Sequence, residues 1–108
     1  MENKKEILRA NNARDTRNLN KIGDRLYWIR CNLLLSQNQV AKKCGIPLSS
    51  FNGRENGCRS INYEEFIVLE DYFNDLWQIK FKGEYPEYQG RKIKKITHSF
   101  IMFGFDNA

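Results

Sequence analysis

The sequence predicts an all-α class: a compact five-helix domain with a basic N-terminal arm and a C-terminal extension. Three observations predict it. Ile22, Leu26, Ile29 and Leu33 recur at steps of four, three and four, the spacing of one helix face. Starting and stopping residues punctuate the chain beyond that face: Ser36, Gly45, Pro47, Asn56-Gly57 and Asn62. The 108 residues suffice for one modest hydrophobic core and are too few for two.

Taken in order, residues 1–20 are polar, rich in Asn and basic, with Lys4, Lys5, Arg9, Arg14 and Arg17. Nothing in them makes an apolar stripe, so they read as a flexible arm. Residues 21–73 form the main domain. Its first helix starts after Asn20, a capping residue, and carries Asp24 in the first turn, where a carboxylate suits the helix dipole. Leu34-Leu35-Ser36 interrupts the period. Ser36 caps a second helix, Gln37 to Cys44, with Val40, Ala41 and Cys44 inward. Gly45 ends it by supplying a left-handed backbone. Pro47 opens a third helix, where a missing N–H costs nothing. That helix runs from about Leu48 to Glu55 and stops at Asn56-Gly57.

Asn62 with Glu65 three residues on is a capping-box signal for a fourth helix. Phe66, Leu69, Tyr72 and Phe73 make its inner face. Residues 74–108 are a C-terminal extension. Leu76, Trp77, Ile79 and Phe81 prolong the apolar pattern, in one bent helix or two. Gly83 to Gly90, with Pro86, Tyr85 and Tyr88, reads as an ordered loop. Ile93, Ile96, Phe100 and Phe103, at steps of three, four and three, favour a last helix ended by Gly104. The extension holds more apolar material than a five-helix core requires, so it is expected either to pack on the domain or to form a dimer surface.

The net charge is +5 and is unevenly distributed. Residues 1–60 carry twelve bases against five acids, residues 61–79 no base and five acids, and residues 80–108 six bases against three acids. A basic front and an acidic middle suit a protein with one face toward phosphate; ordinary solvated charge would look the same. The basic cluster Arg91, Lys92, Lys94 and Lys95 reads as a solvated face. Cys31, Cys44 and Cys58 form no close pair and His98 is the sole histidine, which excludes a zinc pattern. The odd cysteine count and the lack of a leader point to a reducing cytoplasm, and no stretch is apolar enough to span a membrane. One His, no paired nucleophile and base, and no phosphate-cradling loop argue against an enzyme and against any cofactor.

The most informative stretch is Leu35 to Gly57, LSQNQVAKKCGIPLSSFNGRENG. Ala41 is small where two helices cross. Gly45 makes the tight turn between them and Ile46 packs beneath it. Phe51 anchors the third helix, which leaves Leu48, Ser49, Asn52 and Gly53 on the side facing solvent. A helix presented in this way fits the major groove of duplex DNA, about 12 Å wide.

This stretch resembles the phage-repressor and Cro-like (Xre-type) helix-turn-helix family. Leu35, Ser36, Gln37, Val40, Ala41, Gly45, Ile46, Ser49, Phe51, Glu55 and Gly57 sit at or near the family's positions. The preceding Ile22 to Leu26 looks like the family's opening helix, and Thr97 to Gly104 like its short closing one, with Asn74 to Ile96 inserted before it. The resemblance implies a lambda-repressor-like DNA-binding domain. Leu48, Ser49, Asn52 and Gly53 would then face bases. Gln37 and Asn56 would contact phosphate, Gln37 also bracing the recognition helix. Lys42, Lys43 and Arg59 are further phosphate contacts. Two departures stand out. Leu48 and Gly53 replace polar readers, which shifts the reading to Ser49 and Asn52. Arg54 replaces a buried apolar residue, its stem packing while its head reaches water or phosphate.

The expected function is a sequence-specific, duplex-DNA-binding transcriptional repressor of bacterial or phage origin, cytoplasmic and nucleoid-associated. It would act as a homodimer on half-sites roughly 34 Å apart. The alternative is a helix-turn-helix used for protein contact, such as an antitoxin or a phage-encoded inhibitor.

Overall fold

A computed structural model describes residues 22–104. The expected arm at 1–20, with the Asn20 cap, lies outside the described residues. Five helices and a minimal hairpin are present among them: α1 (Ile22–Asn32), α2 (Gln37–Cys44), α3 (Leu48–Asn56), α4 (Tyr63–Phe81), β1 (Glu87–Tyr88), β2 (Arg91–Lys92) and α5 (His98–Phe103). The class is therefore mostly helical. No described helix is long and apolar enough to cross a membrane.

The helix ends are set by the residues that the sequence offers for them. Ser36 and Gln39 form a reciprocal capping box at α2, the Gln39 N–H donating to Ser36 Oγ at 3.0 Å and the Ser36 N–H to Gln39 Oε1 at 2.7 Å. Gly45 closes α2 at φ 69°. Pro47 precedes α3, and its carbonyl accepts the Phe51 N–H. Asn62 and Glu65 make a second capping box, from which α4 runs unbroken for 19 residues. The stretch around Leu76 to Phe81 is thus one helix with the preceding one, not a second.

α1 buries Leu26, Ile29 and, just past its end, Leu33, as the period predicts, but also Asp24, Arg25 and Arg30. Charged groups remain inside only with partners. Arg25 donates Nε to the Ile101 carbonyl at 2.7 Å and Nη2 to that of Met102 at 2.6 Å, capping the C-terminal turn of α5 from 76 residues away. Arg30 meets Glu55. At Gly23 the α1 backbone presses on α3: a β-carbon there would lie 2.2 Å from the Glu55 carbonyl oxygen, so only glycine fits.

The last helix begins later than the apolar spacing suggests. Ile93 and Ile96 are buried, but in extended chain after the hairpin. The hairpin turns through Gln89 (φ 50°) and Gly90 (φ 82°), two consecutive left-handed residues that pair Tyr88 with Arg91. The segment after β2 is strapped along α4. Trp77 Nε1 donates to the Ile93 carbonyl at 2.6 Å, the Ile96 N–H donates to Asn74 Oδ1 at 3.0 Å, and Gln78 Nε2 donates to the Lys94 carbonyl. These bonds consume the backbone groups a helix would need. α5 starts only at His98, where Thr97 Oγ1 accepts the Phe100 N–H.

One apolar core joins all five helices. Leu26, Ile29, Val40, Ile46, Phe51, Phe66, Leu69, Phe73, Trp77, Ile96, Phe100 and Ile101 are buried together in it. Trp28 adds an aromatic cluster, its ring 5.4 Å from Trp77, 5.0 Å from Tyr88 and 5.7 Å from Phe100. Most of the apolar side chains after Asn74 are consumed in this packing. Of those that suggest a dimer surface, Ile79 at 67% and Phe103 at 55% are largely exposed.

Candidate nucleic-acid interface

Helix α3 and the N-terminus of α2 meet across the Gly45–Pro47 turn, and most of the expected site residues lie there. Phe51 is fully buried and fixes the inward face of α3. Leu48, Ser49, Asn52 and Asn56 are exposed on the outer face. Leu48 offers only an apolar surface of the kind that packs on a thymine methyl.

Gly53 is not on the solvent side as the helix spacing suggests. It is buried, because the chain after Gly57 folds back on the end of α3. The Gly53 carbonyl accepts the N–H groups of Cys58 at 2.8 Å and Arg59 at 3.1 Å. The Arg59 side chain then lies across residue 53: a β-carbon there would meet its Cγ and Cδ at 3.0 Å. The missing side chain at 53 leaves room for the stem of an arginine, whose residue stays exposed beside the outer face of α3. Arg59 thus stands where Gly53 cannot contribute.

Arg54 also differs from expectation. Its head is paired: it turns to Glu65, Nε donating to Oε1 at 2.7 Å, while Nη1 donates to the Ser50 carbonyl, and the side chain keeps only 12% of its surface exposed. Glu65 therefore serves the cap of α4 and ties α3 to it.

The orientation of α3 is held from within. Arg30 donates Nε to Glu55 Oε2 at 2.9 Å and Nη2 to Oε1 at 2.8 Å, a two-pronged pair whose side chains are 3% and 1% exposed. Arg30 Nη1 also donates to the Leu35 carbonyl at 3.0 Å, so one guanidinium joins α1, the start of α2 and α3. Gln37 Nε2 donates to Glu55 Oε1 at 3.0 Å. Gln37 Oε1 accepts Asn52 Nδ2 at 3.0 Å, and Asn52 Oδ1 accepts Asn56 Nδ2 at 2.9 Å. Three expected site residues, from both sides of the turn, are thereby joined in one hydrogen-bonded chain.

No family model, curated protein or solved structure matches this chain.

Lys42 and Lys43 are exposed in the last turn of α2, a position that the helix dipole also favours for cations. Ser49, Leu48 and Arg59 complete the rim. The cysteines are unbridged. Burial pushes the Cys44 thiol up to about 11 against a smaller opposing effect of Lys43, so it stays protonated at neutral pH and packs as a small hydrophobe. His98 has a carboxylate partner: its Nδ1 lies 2.9 Å from Glu70 Oε2, and its backbone N–H also donates to that oxygen. The Arg30–Glu55 pair is not legible in the sequence; a bracing contact of Gln37 with α3 is implied by the resemblance, but not its partner Asn52. The one signal for the former is two charged residues at positions whose neighbours demand burial.

Proposed function

We propose that this chain is a sequence-specific, duplex-DNA-binding transcriptional repressor with a lambda-repressor-like, helix-turn-helix reading unit, acting in the cytoplasm at the nucleoid of a bacterium or on phage DNA. The observation that carries the reading is the outer face of α3. It is a rigidly anchored, exposed strip of Leu48, Ser49, Asn52 and Asn56, tied to Gln37 at the start of α2 and flanked by exposed Arg59. Such a strip suits the major groove, where Asn reads adenine with two bonds, Ser takes either role and Leu packs on a thymine methyl. The basic residues around it suit phosphate, which supplies affinity without sequence information. The occurrence of Leu35 to Gly57 in the order typical of phage-repressor proteins supports the same reading. A homodimer on a two-fold site fits this mode of binding, with Ile79 and Phe103 as exposed apolar material for contact.

The assignment of Lys42, Lys43 and Arg59 to phosphate is tested by titrating a labelled duplex over a range of salt concentrations. Each of Lys42→Ala, Lys43→Ala and Arg59→Ala should weaken binding to all duplexes alike and flatten the log–log salt slope by about 0.9. Lys42 and Lys43 are exposed, and Arg59 is exposed apart from the stem laid across Gly53, so the fold should be little affected. An unchanged slope removes that residue from the interface.

A further inference from the structure

An unconstrained asparagine amide exchanges its donor and acceptor ends by turning over, at little cost. Asn52 is not unconstrained, because its amide belongs to a hydrogen-bonded chain that begins in the core. Arg30 grips both oxygens of Glu55, which makes that carboxylate an acceptor only. Gln37 reaches Glu55 Oε1 at 3.0 Å and must present Nε2 to it. Its Oε1 is then left for Asn52, which must present Nδ2. The Asn52 Oδ1 consequently takes the Asn56 Nδ2. Each direction is set by the preceding one, and the first is dictated by a carboxylate that is 1% exposed. With these bonds made, Asn52 retains one Nδ2 hydrogen and one Oδ1 lone pair.

We propose that Glu55 and Gln37 are positioning residues for base recognition: they fix the donor–acceptor order of the Asn52 amide, so that it accepts adenine in one strand and not the inverted base pair. The inference rests on the DNA-reading role of α3 proposed above. The major-groove edge of adenine places the N7 acceptor beside the N6 donor. A single remaining donor and a single remaining acceptor match that edge in one direction. A freely turning amide tracks adenine into either strand; a locked one does not. The buried Arg30–Glu55 pair thus does more than hold α1 to α3, since its polarity is passed through Gln37 to the surface.

The test uses the full chain and a duplex selected from a random pool. Asn52→Ala first identifies the base pair at which discrimination is lost. The unmodified chain and Gln37→Leu are then titrated on that duplex and on one with this pair inverted from A·T to T·A. The unmodified chain should prefer one orientation by about tenfold, the scale of a bidentate base contact. Gln37→Leu should lower that ratio to about twofold or less, because Asn52 loses the bond that passes the direction set by Glu55 to its amide. Loss of a phosphate contact by Gln37 would weaken both complexes equally and leave the ratio intact. A second readout needs no DNA: the Asn52 side-chain amide signal should show a protected proton in the unmodified chain and lose that protection in Gln37→Leu. A ratio near tenfold in Gln37→Leu overturns the proposal, as does full discrimination at every base pair in Asn52→Ala. A chain that prefers no duplex over any other overturns the DNA-reading role itself, a result distinct from both.

Discussion

Glu55→Ala should destabilise the protein by about 3–5 kcal/mol, the cost of leaving a buried charge without its partner. Glu55 takes the Nε–Nη2 edge of the Arg30 guanidinium, and Arg30 is itself 2% exposed, so removing the carboxylate leaves a buried charge with the Leu35 carbonyl in place of an anionic partner. Gln37 also loses the acceptor for its Nε2. A domain of this size has a total stability of about 5–15 kcal/mol, so the variant should lie near the edge of folding. Urea denaturation monitored by far-UV circular dichroism measures the loss. The double variant Arg30→Met, Glu55→Met is the control. It removes both charges, and apolar replacements of a buried pair are often close to neutral, so it should be more stable than Glu55→Ala alone. A loss below about 1 kcal/mol in Glu55→Ala would mean that the pair is open to solvent.

Trp77→Ala should cost a similar amount, about 3–5 kcal/mol, through a different cause. Trp77 is fully buried and lies between Trp28, at 5.4 Å, and Phe81, at 4.7 Å between ring centroids. Its removal leaves a cavity and deprives the Ile93 carbonyl of the indole N–H. Trp77→Phe keeps most of the ring and loses the hydrogen bond, so it should cost less, about 1–3 kcal/mol. The comparison bears on the architecture. Trp77 joins α4 to the extended strap before α5, and a small effect of Trp77→Ala would mean that the chain beyond Asn74 is an appendage to the core.

The local signals of the fold are legible in the sequence because they act over a few residues. Ser36, Gly45, Pro47 and Asn62 with Glu65 each perform a task that a helix terminus imposes, and each does so at the position its residue type favours. The boundary of α5 is not legible. Ile93 and Ile96 are spaced as a helix would space them, but buried residues in an extended strap can share that spacing, and what keeps this strap extended is bonds to Asn74, Trp77 and Gln78 from 16 to 22 residues away.

The candidate site divides in the same way. The helical period places Phe51 inward with Ser49 and Asn52 outward. It does not place Gly53, because a glycine's burial depends on what crosses it, and the turn at Gly57 that lays Arg59 there is a tertiary event. Arg25 and Arg30 are hidden from the sequence for a related reason. Charged residues on a helix ordinarily count toward its solvated face. Their burial becomes intelligible only when the partners are known: the Ile101 and Met102 carbonyls for one and Glu55, 25 residues on, for the other.

Whether α3 reads duplex DNA is decided by incubating the full chain with a pool of random duplexes and sequencing those retained. A two-fold motif should be enriched, with half-sites about one helical turn apart and containing an A·T pair whose selection disappears with Asn52→Ala. A retained pool that is indistinguishable from the input, with binding unchanged by Asn52→Ala, would contradict that role of α3.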